Sequence, residues 1–161
     1  MTKKIVSTFA GLARDKPLIM GIVNVTPDSF SDGGETLKAE HAVTRGLAFR
    51  DQGADILDVG GESTRPGAAP VSIDEELNRV IPVVRGLADA GATVSVDPRH
   101  AQVMTAAVEA GAKIINDVTA LTGDPNSLDA AAKSGAAVIL MHMRGEPGTM
   151  QDDPVYEDAA L

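Results

Sequence analysis

Five short apolar runs recur along the chain: Leu18-Ile-Met-Gly-Ile-Val-Asn24, Ala54-Asp-Ile-Leu-Asp-Val59, Ala92-Thr-Val-Ser-Val-Asp97, Ala112-Lys-Ile-Ile-Asn-Asp-Val118 and Ala136-Ala-Val-Ile-Leu-Met-His142. Their length, apolar content and flanking turn residues predict strands buried on both faces. Between them the apolar spacing turns helical. Thr36 to Gln52 places Ala39, Ala42, Val43, Gly46 and Leu47 on one face. Ser72-Ile-Asp-Glu75 reads as a capping box, followed by Leu77, Val80, Ile81, Val84 and Leu87 at helical spacing. Pro82 falls inside that pattern and predicts a kink or local break. Pro98 to Ala110 and Asn126 to Ser134 complete the set. Gly53, Gly91, Gly111 and Gly135 each stand between a helix pattern and the next apolar run, where a left-handed cap closes a helix at least cost. Strand and helix alternate, which predicts an α/β fold with a parallel sheet and crossover helices.

Composition narrows the function classes. The chain has 161 residues, with 14 Lys+Arg against 23 Asp+Glu and a formal net charge of -9. That balance argues against nucleic acid or an anionic membrane as partner. No transmembrane run or signal peptide is visible, so a cytoplasmic location is expected. With no cysteine, disulfides, thiolate metal sites and a cysteine nucleophile are excluded. Aromatic residues make up 2%, so the core must be aliphatic. Asp153-Pro-Val-Tyr-Glu-Asp158 opens a helix three residues before the sequence ends, which is the expectation for a truncated unit.

The strand ends carry the candidate chemistry, since parallel α/β folds build their sites at the carboxyl ends of strands. Asn24, Asp58, Asp97, Asn116-Asp117 and His142 occupy those positions. Each also has a plain structural explanation. Asp97-Pro98 suits a helix N-cap and first position, and Asn24 or Asn116 could serve turns. Asp58 must be hydrogen-bonded or exposed at a cleft mouth. His142 between Met141 and Met143 fits a structural role, and solvation suffices for Asp28 and Asp32. The segment Gly60-Gly-Glu-Ser-Thr-Arg-Pro-Gly67 offers close backbone approach, two hydroxyls and the Arg65 fork, the parts of an oxyanion or phosphate cradle. In so acidic a chain, an anionic substrate needs such a local cation, aided by a metal ion.

Two long motifs bring a resemblance into view. Ile19-Met-Gly-Ile-Val-Asn-Val-Thr-Pro-Asp-Ser-Phe-Ser-Asp-Gly-Gly34 and Gly53-Ala-Asp-Ile-Leu-Asp-Val-Gly-Gly-Glu-Ser-Thr-Arg-Pro-Gly67 resemble the first two signatures of the dihydropteroate synthase family. Ser95-Val-Asp97, Ile114-Ile-Asn-Asp-Val118 and Leu140-Met-His-Met-Arg-Gly145 follow in the family's order. The resemblance implies a partial TIM (β/α)8 barrel: its first five parallel strands with their helices, with residues 1–161 forming the N-terminal portion of one pterin-binding domain. It implies an enzyme of folate biosynthesis, a sulfonamide target. That enzyme joins 6-hydroxymethyl-7,8-dihydropterin diphosphate to p-aminobenzoate, releasing diphosphate.

Roles carry over by matching motif position. Asn24 matches a magnesium ligand, making Mg2+ the implied cofactor. Thr64 matches a substrate-binding threonine beside the diphosphate, with Arg65 next to it. Asp97 and Asn116 match the pterin-binding pair, and Asp97 would offset charge developing on the pterin. Phe30 and Pro66 match loop residues that close over p-aminobenzoate, and Asp32 lies in the same loop. Ile115 and Met141 are expected to wall the pterin pocket. Pro98 departs from the family, where a small hydroxyl residue is expected after Asp97. The family's further pterin-binding Asp and Lys and its Arg-x-His anion site have no match here. The expectation is therefore little synthase activity from these 161 residues alone, two apolar exposed sheet edges, and a homodimer as the family's common assembly. A non-catalytic pterin-binding partial barrel and a pterin-dependent methyltransferase are the competing readings.

Overall fold

The computed structural model describes residues 8–25, 35–62 and 71–143. A hairpin comes first, β1 (Thr8–Phe9) against β2 (Leu12–Ala13), antiparallel. Its two-residue turn has positive φ at both Ala10 and Gly11, the geometry that matches hairpin twist. The apolar pattern did not predict it, because strands of two residues are too short to carry a period.

The remaining elements alternate: β3 (Met20–Asn24), α1 (Glu35–Asp51), β4 (Ile56–Gly60), α2 (Ile73–Asp89), β5 (Val94–Asp97), α3 (Ala101–Glu109), β6 (Ile114–Asp117), α4 (Ser127–Ser134) and β7 (Ala137–Leu140). All five strands β3–β7 are parallel and lie side by side in chain order. Consecutive helices pack on one another, α1 on α2, α2 on α3 and α3 on α4. A sheet wound in one direction with its helices on one face is the construction of a (β/α) barrel. A doubly wound sheet would reverse its strand order and cover both faces.

The core lies between the sheet and that helical layer. Val23, Leu57, Val59, Val94 and Val96 supply it from the strands, and Val80, Val84, Leu87 and Met104 from the helices. Each is essentially fully buried, contributing roughly 1.5–3 kcal/mol by transfer from water. All these side chains are aliphatic, as the composition requires. Gly53, Gly91, Gly111 and Gly135 all take positive φ, at the four positions where the sequence places helix caps.

Three local expectations change. The helix α2 runs through Pro82 without a local break, although the ring removes one i→i−4 bond, and its face of Val80, Val83, Val84 and Leu87 is buried. Its Ser72 cap is as expected, with the hydroxyl accepting from the Glu75 N–H at 3.3 Å. The helix α3 starts at Ala101 rather than Pro98. Its first N–H is held by the carboxylate of Asp124 at 3.0 Å, so Asp97 is not its cap. Among the described residues β3 and β7 are the edges of the sheet, and Ile22, Val138 and Leu140 are exposed there. Residues 26–34 and 63–70, and the helix start expected at Asp153, lie outside the described residues.

Candidate functional site

Strand register decides which side chains share the concave face, away from the helices. Ile22 pairs with Asp58, Asp58 with Ser95, and Ser95 with Ile114. One step toward the carboxyl ends, Asn24 pairs with Gly60 and Gly60 with Asp97. Partners in a parallel ladder point to the same side, and alternate residues along a strand share a face. Asn24, Asp97 and Asn116 therefore stand in one row, with Asp58 and Ser95 in the row beneath. Gly60 separates two of them. A Cβ there would lie 3.8 Å from Asn24 Oδ1 and 4.0 Å from Asp97 Cβ, so its absence leaves the space between those side chains open.

Electrostatics single out Asp97. Burial pushes its carboxyl from the ordinary 3.8 up to about 7, and the nearby charges of Asp58, Asp117 and Glu76 push the same way. Arg99 opposes them, with its guanidinium 3.9 Å from Glu62. An acid poised near neutrality in a cleft is the expected signature of a functional group. Asp58 is buried at 3% exposure and its carboxyl is also raised by burial, against the lowering effect of the Ser95 hydroxyl and Asn116 amide. Asn116 Nδ2 donates to Asp58 Oδ2 at 3.2 Å. The sequence left Asp58 between hydrogen-bonded and exposed, and it is hydrogen-bonded and buried.

The neighbour of Asn116 in sequence does something else. Asp117 accepts from Thr119 N–H and Thr119 hydroxyl at 2.7 Å each and from Leu121 N–H at 3.1 Å. It thereby holds a loop in which Ala120 and Leu121 both take positive φ. Two adjacent polar residues thus divide the labour, Asn116 on the cleft face and Asp117 stapling the strained loop beside it.

Behind Asp97 the turn into α3 is anchored by a buried acid the sequence reading passed over. Glu76 has no exposed surface, and its carboxylate accepts from Arg99 N–H at 3.2 Å and faces His100 Nδ1 at 2.9 Å. Its only sequence signal was its place in the first turn of a helix, where an acid needs no further explanation.

The expected pocket wall needs correction at Ile115. It pairs with Val96 and is fully buried in the core between sheet and helices, on the face opposite Asn116. The alternation of a strand makes this unavoidable, since residues one apart point to opposite sides. Ile114 takes the cleft side instead, with Ile139, which pairs with Asn116. Met141, two residues beyond Ile139 and half-buried, stands on the expected side by the same alternation. Arg65, Asp32, Thr64, Phe30 and Pro66 lie outside the described residues.

A magnesium ion is compatible with this donor set. The Asn24 amide oxygen is a hard donor at the exposed end of β3. Those residues contain no group of three acidic or histidine side chains able to cage a metal. Mg2+ ordinarily keeps its waters and takes one or two protein oxygens together with substrate phosphates, so a single amide ligand is in keeping.

Comparison with known proteins gives the family of the chain. A family profile described as "Pterin binding enzyme" matches residues 20–161. The chain belongs to the pterin-binding enzyme family. Its curated relatives include the dihydropteroate synthase of Escherichia coli K12, 52% identical over 143 residues, which are 88% of this chain and 50% of that protein. The Yersinia pestis dihydropteroate synthase, solved as a sulfonamide drug complex, superposes with a TM-score of 0.83 at 49% identity, covering 96% of this chain and 57% of that one. The Xanthomonas albilineans dihydropteroate synthase, solved with 4-aminobenzoic acid, gives 0.78 at 54% identity, over 85% and 52% of the two chains. The chain spans about half the length of the curated family members it matches. Among its described residues, no helix is long and apolar enough to cross a membrane.

Proposed function

We propose that the chain carries the pterin-side half of a dihydropteroate synthase site. In this reading it binds 6-hydroxymethyl-7,8-dihydropterin diphosphate for condensation with p-aminobenzoate. The observation that carries the reading is the row formed by Asn24, Asp97 and Asn116 on the concave face. The motif resemblance assigns these three residues to magnesium and pterin, and distant positions of the sequence meet there. Relatives named dihydropteroate synthase at about half identity support the reaction class.

The chemistry follows from the residues. Asp97 and Asn116 offer oxygen acceptors and an amide donor to the heterocycle edge in a partly dry cleft. As the bond between the pterin methylene and the diphosphate oxygen breaks, positive charge develops on the pterin. The ionised Asp97 carboxylate, fixed beside the ring, stabilises that charge without reorganisation. The amine of p-aminobenzoate then attacks the methylene carbon and releases one proton. A magnesium ion bound through Asn24 would supply charge neutralisation for the departing diphosphate. Thr64 and Arg65 are proposed to hold the diphosphate, and Phe30, Asp32 and Pro66 to enclose p-aminobenzoate. A cytoplasmic location and a homodimer accompany the proposal.

The test is calorimetric titration of the 161-residue chain with 6-hydroxymethyl-7,8-dihydropterin. Saturable binding lost in Asp97→Asn and weakened but still measurable in Asn116→Ala is the expected result. Absence of binding by the folded chain overturns the reading. Synthase turnover is expected to be slight, and turnover typical of such enzymes would show that these residues suffice.

A further inference from the structure

Asp58 is the buried acid that the proposed chemistry leaves without a task. It sits mid-strand in β4, where every residue is buried, in a row otherwise built of Ile22, Ser95 and Ile114. Among the described residues no cation stands within ion-pair distance of it, and Oδ1 has no hydrogen-bond partner. A buried carboxylate in that state does not stabilise a fold, and an aliphatic residue would pack the position better. Its closest polar contact is the donation from Asn116 Nδ2 to Oδ2 at 3.2 Å, and the Ser95 hydroxyl also faces the carboxyl.

That contact has a consequence for recognition. An amide side chain can turn over and exchange its oxygen for its nitrogen, which reverses what it offers a ligand. A carboxylate oxygen accepts and does not donate when ionised. Where Asp58 is ionised, the Asn116 nitrogen must face it, which uses one of its two hydrogens. The carbonyl oxygen and the second hydrogen are left for the cleft, in a fixed order beside Asp97.

We infer that Asp58 is a positioning residue which, through this hydrogen bond, locks the Asn116 amide so that an acceptor and a donor face a pterin edge carrying an N–H next to a ring nitrogen. The inference rests on the proposed function and adds the means by which one ring orientation is selected. Asp58 does not touch the ligand; it acts through Asn116.

The test is a double-mutant cycle on the full 161-residue chain, read as the dissociation constant for 6-hydroxymethyl-7,8-dihydropterin. It is run at pH 8.5, where Asp97, at about 7, is ionised. Asp58→Leu removes the acceptor and is expected to weaken binding about tenfold while leaving thermal stability equal or higher. In an Asn116→Ala background the same substitution is expected to change binding less than about twofold, because the residue it acts through is gone. Asp58→Asn, which lets the two amides pair in either order, serves if the leucine variant does not fold. It is expected to weaken binding by about two- to fivefold, again only when Asn116 is present. Wild-type affinity in a folded Asp58 variant overturns the inference and leaves the proposed function standing. So does an undiminished loss in the Asn116→Ala background. A wild-type chain that is folded and binds no pterin overturns both.

Discussion

His100 Nδ1 lies 2.9 Å from a carboxylate oxygen of Glu76, an acid with no exposed surface at all. The pair joins α2 to the turn between β5 and α3, and Arg99 N–H gives the same carboxylate a second hydrogen bond. Asp97 begins that turn, so the pair sets where the site's central acid stands. Glu76→Ala leaves part-buried donors unsatisfied and opens a void. A loss on the order of 2–4 kcal/mol is expected in urea unfolding. Glu76→Gln keeps an acceptor and the volume, and should cost about half as much. Equal stability of wild type and Glu76→Ala would show that the anchor is idle.

Asp97 makes stability depend on pH in a defined direction. Its folded value of about 7 exceeds the ordinary 3.8, so between these values the folded state holds a proton the unfolded chain has released. The unliganded protein should therefore lose stability as pH rises from about 4 to about 7, and Asp97 adds no further change above that. Asp97→Asn removes this slope and should raise the melting temperature at pH 8 relative to wild type. Thermal melts across pH 4–8 read both, and parallel profiles for the two proteins contradict the assignment.

Two adjacent glycines should respond differently to the same change. A Cβ at Gly61 would stand 2.6 Å from Val80 Cγ2 and 3.1 Å from Glu76 Cγ, so Gly61→Ala forces α2 off β4 and should cost roughly 1–3 kcal/mol. A Cβ at Gly60 meets nothing closer than 3.8 Å, so Gly60→Ala should fold with near wild-type stability. It does narrow the space between Asn24 and Asp97, and pterin affinity should fall about tenfold by calorimetry. If the two variants melt alike, the packing difference between these positions is wrong.

Ile115 offers a direct check of strand facing. It is fully buried in the core, so Ile115→Ala should destabilise by about 2–5 kcal/mol. At temperatures where the variant is folded, its pterin affinity should match wild type. A selective loss of affinity with unchanged stability would return Ile115 to the cleft.

Much of this architecture was legible in the chain. Four glycines after four helix patterns marked the caps, and all four adopt positive φ. The aliphatic runs became parallel strands in chain order, because each is joined to the next by a helix that crosses over, although the edge strands β3 and β7 are not buried on both faces. Asp97 was ambiguous between a cap and a site residue. Asp124, 27 positions away and silent in any local pattern, takes the cap and frees it. Glu76 was invisible because an acid in a first helical turn looks ordinary until the helix is packed on a sheet.

The sequence by itself determined the element order, the aliphatic core, the cap glycines and the polar residues at the strand ends. Those follow from local backbone preference and apolar period, which act over a few residues. The tertiary structure alone decided facing and pairing. It set Asn116 toward the cleft and Asp117 toward its loop, placed Ile115 in the core, and brought Asp58 to Asn116 across 58 positions of chain. Register is a property of neighbouring strands, and a shift of one residue reverses every side chain, so no single segment carries that information.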